Sequence, residues 1–315
     1  MDAPLVSVLM AVYNAEAWLD EALQSLLGQS LQDIEIVAVD DASTDRSLEL
    51  LQRAASRDSR LRVFSQTENR GQAVARNVAL SHARGEYIGM VDADDWLSPD
   101  ALERAVDVFC HHPQTDSVVF RLVLHHDEDG RDEDFAGCRD MDEATVLTGE
   151  EAFRLSLDWT LHGLYLVRRE LHLRYPFDDS CRLYSDDNTT RLHYLHSREV
   201  RFCSGIYFYR QHPSSATSAI TPRRFLYMQA NLGMKRLLEQ EAVPTAVLNQ
   251  YEQHRWHNYL GLLWLYFAHR HQFTKDERNQ ILHQFRSVYG TFSRKSPFFL
   301  MFAAQWLRWR TKAWR

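Results

Sequence analysis

The fold class of this chain is decided by residues 6–45, which read VSVLMAVYNAEAWLDEALQSLLGQSLQDIEIVAVDDASTD. Two apolar runs rich in valine, leucine and isoleucine, Leu5–Ala11 and Ile34–Val39, predict strands that are buried on both faces. Between them, apolar residues recur at helical spacing, at Trp18, Leu19, Ala22, Leu23, Leu26 and Leu27. A strand, a helix and a second strand in this order predict a β-α-β unit with parallel strands.

The same alternation of strands and helices continues beyond this unit. The predicted elements are a helix after Thr44, a strand at Leu61–Ser65, a helix over Gln72–Ala83, a strand at Tyr87–Val91, a helix opened by Ser98 and Pro99, and a strand at Ser117–Leu124. This order predicts a doubly wound α/β fold, in which ligands bind beyond the carboxyl ends of the strands.

The chain beyond residue 126 has a less regular pattern. Asp127–Glu143 is acidic and without period, which predicts a surface loop, and Gly205–Tyr209 predicts a strand. The other signals are a capping box at Thr148 and Glu151, and a helical pattern after Pro222 with breaks near Pro244, Thr274 and Pro297. We therefore expect three regions, at 1–125, 126–215 and 216–315.

Composition narrows the class of protein. The chain has 315 residues, of which 45% are hydrophobic and 25% charged, as in an ordinary folded protein of two or three structural units. Its net charge of -7 argues against a general nucleic-acid binder. No two cysteines form a Cys-x-x-Cys pair, which argues against a zinc knuckle. The first apolar run is too short for a signal peptide or membrane span, so we expect a cytoplasmic protein.

Polar clusters follow the predicted strands where each strand ends. They are Val12–Glu16 after the first strand, Asp40–Asp45 after the second and Asp92–Asp95 after the fourth. Neither the dinucleotide fingerprint Gly-x-Gly-x-x-Gly nor a Walker A loop occurs in the sequence, which argues against hydride transfer and P-loop phosphoryl transfer. The carboxyl edge of the sheet is therefore the expected site.

Asp92-Ala93-Asp94 has a direct chemical use. Residues i and i+2 of an extended chain project to the same side, so the two carboxylates can share one cation or one ribose-diphosphate unit. Oxygen ligands of this kind suit Mg²⁺ or Mn²⁺, which complete their shells with substrate phosphate and water. The alternative is an acidic loop that caps the helix near Ser98 and Pro99. The residues alone leave both interpretations open.

Three segments together resemble the signatures of the family 2 glycosyltransferases in order and spacing. They are VSVLMAVYNAEAWLDEALQSLLGQSLQDIEIVAVDDASTDRSLELL at 6–51, ENRGQAVARNVAL at 68–80 and ARGEYIGMVDADDWL at 83–97. The resemblance implies a GT-A-type, Rossmann-like, mostly parallel sheet flanked by helices, with a helical C-terminal extension. It also implies a nucleotide diphosphate sugar donor, a divalent metal (Mn²⁺ or Mg²⁺) and inversion at the anomeric carbon.

The resemblance places the donor site mainly in the first hundred residues. It assigns Tyr13 to packing on the nucleobase and Asp41 to accepting a hydrogen bond from the base. An aspartate accepts from uracil N3–H or from guanine N1–H, so a uridine donor is favoured and the base stays open. The donor-site positions implied are Val12, Tyr13, Asn14, Glu16, Asp41, Arg76, Asp92, Ala93 and Arg210.

For the metal, the resemblance implies Asp94 and Asp92 as ligands, with Asp95 as a supporting acid. His212, in the aromatic-arginine segment near the end of the second region, either adds a metal or phosphate contact or is an ordinary histidine. Arg76 either belongs to the donor site or is a structural cation that pairs with a carboxylate such as Asp94. Asn77 matches a recurrent position in the donor half.

Inversion by a single displacement needs one base for the acceptor's proton, and the acidic pair in Ser185–Asn188 is the candidate. In the resembling family the second acid of this pair supplies the base, which here is Asp187, with Asp186 beside it. The alternative is that both acids only cap the following helix. The family usually carries a lysine where this chain has Gly163, so the resemblance implies no phosphate contact at that position.

The segment Arg294–Arg315 has six Lys or Arg, no Asp or Glu, and several aromatic residues. Such a helix either lies on an anionic membrane or docks its aromatic face on the protein. The first interpretation suits a lipid-linked glycan acceptor and a location at the inner face of the cell membrane.

We therefore expect a metal-dependent, inverting glycosyltransferase that moves a sugar from a nucleotide diphosphate sugar, with a UDP-sugar favoured, to an acceptor hydroxyl. Its 1–125 region binds the donor, 126–215 binds the acceptor and carries the base, and the product is a surface polysaccharide or glycoconjugate. The alternatives are a nucleotidyltransferase acting on sugar phosphates, and a non-catalytic binding protein on the same scaffold.

Overall fold

The computed structural model of the chain describes residues 3–181, 184, 186–212 and 220–292. The chain divides into two compact units, Met1–Ser215 and Ala216–Arg315. The predicted regions 1–125 and 126–215 both lie within the first unit, and the predicted region 216–315 has the bounds of the second.

The first unit is built from strands and helices that alternate through its N-terminal half. Its described strands are β1 (Val6–Val12), β2 (Ile34–Asp40), β3 (Leu61–Ser65), β4 (Tyr87–Met90), β5 (Trp96–Leu97), β6 (Thr115–His126), β7 (Arg131–Asp134), β8 (Val146–Leu147), β9 (Tyr165–Arg168) and β10 (Glu199–Gln211). Its described helices are α1 (Leu19–Leu27), α2 (Ser47–Ala55), α3 (Gln72–His82), α4 (Ala101–His111), α5 (Gly149–Ser156), α6 (Arg169–Arg174) and α7 (Asp186–His196).

These strands form one sheet, in which eight follow the order β3-β2-β1-β4-β9-β6-β10-β5, while β7 pairs with β6 and β8 pairs with β10. Strands β1 to β4 run parallel, with Val6 opposite Ile34 on one side and Tyr87 on the other, which confirms the predicted β-α-β alternation. Strand β9 was not predicted, and it lies antiparallel between β4 and β6. The carboxyl ends of β1, β2, β4 and β6 therefore meet at one edge of the sheet.

Side chains of β1 alternate between the two faces of the sheet, and helices cover both faces. Val6, Val8 and Met10 belong to one buried cluster, whereas Leu9 belongs to the other. Two fully covered faces explain why β1 and β2 read as continuous apolar runs. The loops at the carboxyl edge are thereby held on a rigid, two-sided core.

The predicted loop over Asp127–Glu143 is wrong at its centre, where β7 pairs antiparallel with β6. Opposite charges pair across the two strands, with Arg121 2.6 Å from Asp134 and His125 2.7 Å from Asp132. The side chains of β7 are exposed, and an edge strand held by cross-strand charge pairs needs no apolar face. For this reason the acidic sequence resembled a loop.

At the amino end of the sheet, a buried carboxylate is fully paired. Ser7 Oγ donates to Glu35 Oε1 (2.7 Å), while Arg62 Nη1 (2.9 Å) and Arg84 Nη2 (2.8 Å) donate to Glu35 Oε2. Burial raises the pKa of Glu35, but these hydrogen bonds outweigh it and hold the pKa below its usual value. The cluster ties β1, β2, β3 and the loop before β4 together.

The second unit is helical in its described part, with α8 (Tyr227–Gln240), α9 (Thr245–His269) and α10 (Lys275–Tyr289). The predicted breaks are confirmed at Pro244, which precedes α9, and at Thr274, which caps α10. Within the described residues, no helix is both long and apolar enough to cross a bilayer. The predicted membrane-binding segment Arg294–Arg315, including the break near Pro297, lies outside the described residues.

Candidate active site

The loops that follow β1 and β2 are locked together at the carboxyl edge. Ser43 Oγ accepts from Asn14 N (3.0 Å), Asn14 Oδ1 accepts from Thr44 N (2.8 Å), and Glu16 Oε2 accepts from Arg46 N (2.9 Å). Asn14 has a φ of 50°, a left-handed conformation that asparagine tolerates better than most residues. Two of the expected donor-site residues, Asn14 and Glu16, thus shape this edge through contacts within the protein.

Tyr13 and Asp41, the expected partners of the base, differ in what they contact. The Tyr13 ring is half exposed, whereas Asp41 is buried. Asp41 accepts hydrogen bonds from Gln66 Nε2 (2.7 Å), Arg70 N (2.8 Å) and Gly71 N (2.8 Å). A carboxylate has about four acceptor positions, so one remains for a ligand N–H. Asp41 therefore orders the loop before α3 and keeps one acceptor position.

Three aspartates converge directly after β4. Carboxylate oxygens of Asp92, Asp94 and Asp95 lie within 4.8 Å of one another. Burial, followed by the negative charges of Asp94 and Asp92, raises the pKa of Asp95 well above its usual value. The side chains of Asp92 and Asp94 are 24% and 34% exposed, so both carboxylates can be reached by a ligand. Ala93 between them is buried.

A tyrosine that the sequence analysis did not predict forms hydrogen bonds with the triad. Tyr207 in β10 is buried, and its hydroxyl donates to Asp95 Oδ2 (2.8 Å) while it accepts from Asp92 N (3.2 Å). The segment around Tyr207 is aromatic in the sequence. Tyr207 lies 112 residues after Asp95, so the sequence did not indicate that the two residues are in contact. Tyr207 thus fixes the first and last acids of the triad relative to each other.

Arg76 connects this triad to the acidic pair of α7. Its guanidinium is buried in α3, donates from Nη2 to Asp92 Oδ1 (2.6 Å), and places Nη1 3.5 Å from Asp186 Oδ2. Burial lowers the pKa of Arg76, but the charges of Asp92 and Asp186 outweigh it and raise the pKa above its usual value. Arg76 also lies 5.4 Å from the Phe177 ring. One of the two expectations was that Arg76 pairs with a carboxylate such as Asp94. Its carboxylate partners in the structure are Asp92 and Asp186.

The acidic pair occupies the first turn of α7. Asp186 is 39% exposed beside Arg76, and Asp187 is 19% exposed with Oδ2 3.5 Å from Nη2 of the buried Arg191. Each carboxylate therefore has an arginine partner in the first turn of α7. Asp186 is joined to the aspartate triad through Arg76, and Asp187 is the next residue of the same turn.

Arg210 occupies the site differently from the expected donor contact. It is buried, and it donates from Nε to the Asp94 carbonyl (2.7 Å), from Nη1 to Asp127 Oδ1 (2.6 Å) and from Nη2 to Glu21. It also stacks 4.5 Å above the Trp96 ring. Each guanidinium nitrogen thus makes a contact within the protein, which uses three of the five N–H donors of the side chain.

His212 lies against the triad, as the metal-ligand hypothesis requires. Its Nε2 is 3.1 Å from Asp94 Oδ2, and its ring packs 4.3 Å from the Trp18 ring. The His212 side chain is only 6% exposed. It therefore stands beside the aspartate that the family resemblance assigns to the metal.

Two further positions explain features of the sequence. Asn77 clamps the backbone of Phe177, donating to its carbonyl (2.9 Å) and accepting from its N–H (2.9 Å). A Cβ at Gly163 would lie 2.7 Å from Thr190 Oγ1, so a lysine there would displace α7. Close packing of the 163 loop on α7 accounts for the departure from the family's lysine.

Known proteins match the sequence over the same residues. Residues 7–136 match the family described as Glycosyl transferase family 2. The glycosyltransferase EpsJ of Bacillus subtilis is 34% identical over 224 residues, which are 68% of this chain and 63% of EpsJ. TuaG of the same organism, named for teichuronic acid biosynthesis, is 41% identical over 104 residues, 33% of this chain and 41% of TuaG. The chain thus spans less than two thirds of the length of these relatives.

The fold has a counterpart among solved structures. The structure of S. aureus TarS 1-349 in complex with UDP-GlcNAc superimposes with a TM-score of 0.70 and 20% identity, over 94% of this chain and 83% of that chain. At this identity the likeness concerns the fold alone, and it confirms the predicted GT-A architecture. Residues 7–136 of the chain are therefore similar to glycosyl transferase family 2, and the chain has a GT-A-type fold.

Proposed function

We propose that the chain transfers a sugar from a nucleotide diphosphate sugar to an acceptor hydroxyl, with inversion, in the synthesis of a polysaccharide or glycoconjugate. One observation carries the proposal. The aspartate triad after β4 and the acidic pair of α7 lie at the same edge of the sheet, joined through the buried Arg76. A leaving-group site and a base are thereby side by side, as a single displacement requires.

A UDP-sugar is the proposed donor. The half-exposed Tyr13 offers a ring face to the base, and Asp41 keeps one acceptor position that suits uracil N3–H. TarS, which shares the fold, was solved with UDP-GlcNAc. TuaG supports a polysaccharide product through its name.

The acidic triad fits a divalent cation. It supplies three carboxylates within 4.8 Å, Asp95 among them held in place by Tyr207, and His212 stands beside Asp94. Asp92 and Asp94 would hold Mn²⁺ or Mg²⁺, which take oxygen ligands and leave positions for phosphate and water. When bound, such an ion neutralises charge on a departing diphosphate.

The residues of the chain then perform the remaining steps. Asp187 accepts the acceptor hydroxyl's proton while that oxygen bonds to the anomeric carbon and the nucleotide diphosphate leaves with the bonding electrons. Asp187 lies in the first turn of α7, with Oδ2 3.5 Å from Nη2 of the buried Arg191. Arg76 fixes the positions of Asp186 and Asp92 relative to each other, and thereby the positions of the acceptor and the donor.

The acceptor we propose is a glycan or lipid-linked glycan. A lipid-linked acceptor would suit contact of Arg294–Arg315 with anionic membrane at the inner face of the cell, which stays a prediction. Flotation with anionic liposomes, with and without residues 294–315, tests it. Nucleic acid is not a proposed partner, given the net charge of -7.

Release of nucleotide diphosphate from each common UDP-, GDP- and TDP-sugar, with Mn²⁺ or with excess chelator, tests the function. We expect release from one UDP-sugar, increased by an acceptor and abolished by chelator. Pyrophosphate formation from a sugar phosphate and nucleoside triphosphate would identify a nucleotidyltransferase instead. Donor binding with no turnover under any condition would identify a binding protein.

A further inference from the structure

Trp159, in the loop between α5 and β9, has an unusual combination of exposure and backbone conformation. Its side chain is 42% exposed and its φ is 64°. A bulky residue in the left-handed region is strained, and glycine or asparagine would occupy that conformation at lower cost. Within the described part of the chain, the indole takes part in no ring stacking or cation contact. Among the described residues, no aromatic or cation contact therefore accounts for a tryptophan at this position.

The backbone around Trp159 is held firmly. Leu161 N donates to the Leu155 carbonyl (2.9 Å), and Cys138 Sγ donates to the Thr160 carbonyl (3.0 Å). Gly137 lies so close beneath the loop that a Cβ there would be 2.8 Å from the Trp159 carbonyl oxygen. The backbone that carries the exposed indole is therefore fixed by hydrogen bonds and close packing.

The loop leads from α5 to a segment that packs on α7, whose first turn carries the acidic pair. Gly149, the first residue of α5, packs against the Tyr194 carbonyl near the end of α7. Farther along the loop, Gly163 packs on Thr190, one turn from Asp187. Four residues span at most about 15 Å, so Trp159 lies within that distance of Gly163.

We propose that Trp159 is a platform on which a sugar ring of the acceptor stacks, which makes the acceptor a glycan. The proposal rests on the proposed function. A pyranose ring has an apolar C–H face that packs on the electron-rich face of an indole, and tryptophan gives large contact area with few rotatable bonds. The loop that carries Trp159 leads to Gly163, which packs on α7 one turn from Asp187, whereas the donor residues Tyr13 and Asp41 follow β1 and β2. The platform therefore belongs to the acceptor side.

Trp159→Ala, Trp159→Phe and Trp159→Gly test the platform, with Trp264→Ala as the matched control because Trp264 is 56% exposed in the second unit. The probes are p-nitrophenyl hexosides and N-acetylhexosaminides, used as acceptors and in saturation-transfer NMR. We expect Trp159→Ala to raise the acceptor KM or Kd about tenfold, as loss of one stacking contact implies. Donor KM and donor hydrolysis without acceptor should stay unchanged.

The other variants separate stacking from structure. Trp159→Phe should keep binding within about threefold, because a smaller ring still stacks. Trp159→Gly should lose binding as Trp159→Ala does, yet melt no lower than Trp159→Ala, because glycine relieves the left-handed strain.

Several results would overturn the platform. These are an unchanged acceptor KM in Trp159→Ala, an equal change in Trp264→Ala, loss of donor hydrolysis together with acceptor affinity, or no saturation transfer from the wild-type protein to any glycoside. If the wild-type protein binds glycosides through Trp159 but never consumes a donor, the proposed function fails and the platform stands.

Discussion

The two ends of the central sheet both carry buried acids, but these acids differ in their cation partners and in the direction of their pKa shifts. At the amino end, Glu35 has two arginines and a serine within hydrogen-bond distance, and its pKa is held below the usual value. At the carboxyl end, three aspartates share one arginine contact at Asp92, and the pKa of Asp95 is raised. One cluster is compensated within the protein, and the other leaves negative charge in excess.

This difference separates a structural site from a functional one. A carboxylate paired with cations stabilises the folded chain, because breaking the pair leaves a buried charge. Acids that repel one another cost stability, and such a cluster persists where a ligand supplies the missing positive charge. Composition alone does not distinguish the two ends, since Glu35 lies on a strand of the sheet and the three aspartates directly follow another.

The largest effect is expected at Asp94. Asp94→Asn should reduce sugar transfer about a thousand-fold or more, because a ligand to a diphosphate-neutralising metal contributes several kcal/mol to the transition state. Its melting temperature without metal should not fall, because one repelling charge is removed from the triad. Steady-state rates and thermal melts measure both, with Asp134→Asn on exposed β7 as the control. Full activity of Asp94→Asn, or of the wild type in excess chelator, would show that the aspartate triad is not a functional site.

Asp187→Asn should lower turnover about a hundred-fold or more while donor affinity changes little, because the base acts on the acceptor. Calorimetric titration with the donor nucleotide and single-turnover rates separate the two quantities. Asp186→Asn is the internal comparison. If that variant loses turnover and Asp187→Asn stays active, the base is the acid that contacts Arg76.

At the opposite end, Glu35→Gln should leave kcat unchanged and lower the free energy of unfolding by about 2 kcal/mol at pH 7, the cost of removing one partner of a buried charge-assisted network. The folded pKa of Glu35 is lowered, so its contribution is present above about pH 4.5 and is lost as pH falls through the folded pKa. Urea unfolding at pH 7 and at progressively lower pH should therefore show a difference from wild type that is largest at pH 7 and shrinks as the pH falls through the folded pKa. A loss of activity in Glu35→Gln without unfolding contradicts the structural assignment.

The smallest effect is expected for Tyr207→Phe, which removes the hydroxyl between Asp92 N and Asp95. Stability should fall by about 1 to 2 kcal/mol, because a buried acid loses one donor. Activity should fall less than about tenfold, since the metal ligands themselves remain. Urea unfolding and kcat measure this, and a loss as large as that of Asp94→Asn would show that the hydroxyl contacts the substrate.

Much of the first unit was predictable because its signals are local. The apolar runs of β1 and β2 reveal strands buried on both faces, and Asp92 and Asp94 follow a strand end directly. Strand β9 was missed because four residues give too short a pattern, and β7 because charge pairing replaces apolar alternation.

The contacts between distant segments were not predictable. Arg76 and Asp186 lie far apart in the chain, and their ion pair depends on how α3 and α7 pack against the sheet. The family resemblance implied a donor contact for Arg210, but its partners are Glu21 in α1 and Asp127 directly after β6. The motifs therefore predicted a set of candidate site residues, and the fold decided which of them have partners within the protein.

The ion pairs of Arg76 have a thermodynamic consequence. One guanidinium contacts both Asp92 and Asp186, so a cation or nucleotide that draws Asp92 away changes the electric field and the position of Asp186. Binding at one carboxylate must then alter the free energy of binding at the other, and linkage requires the effect to be equal in both directions. Donor and acceptor should bind cooperatively, and Arg76→Lys, with one point charge in place of a planar fork, should make their affinities independent.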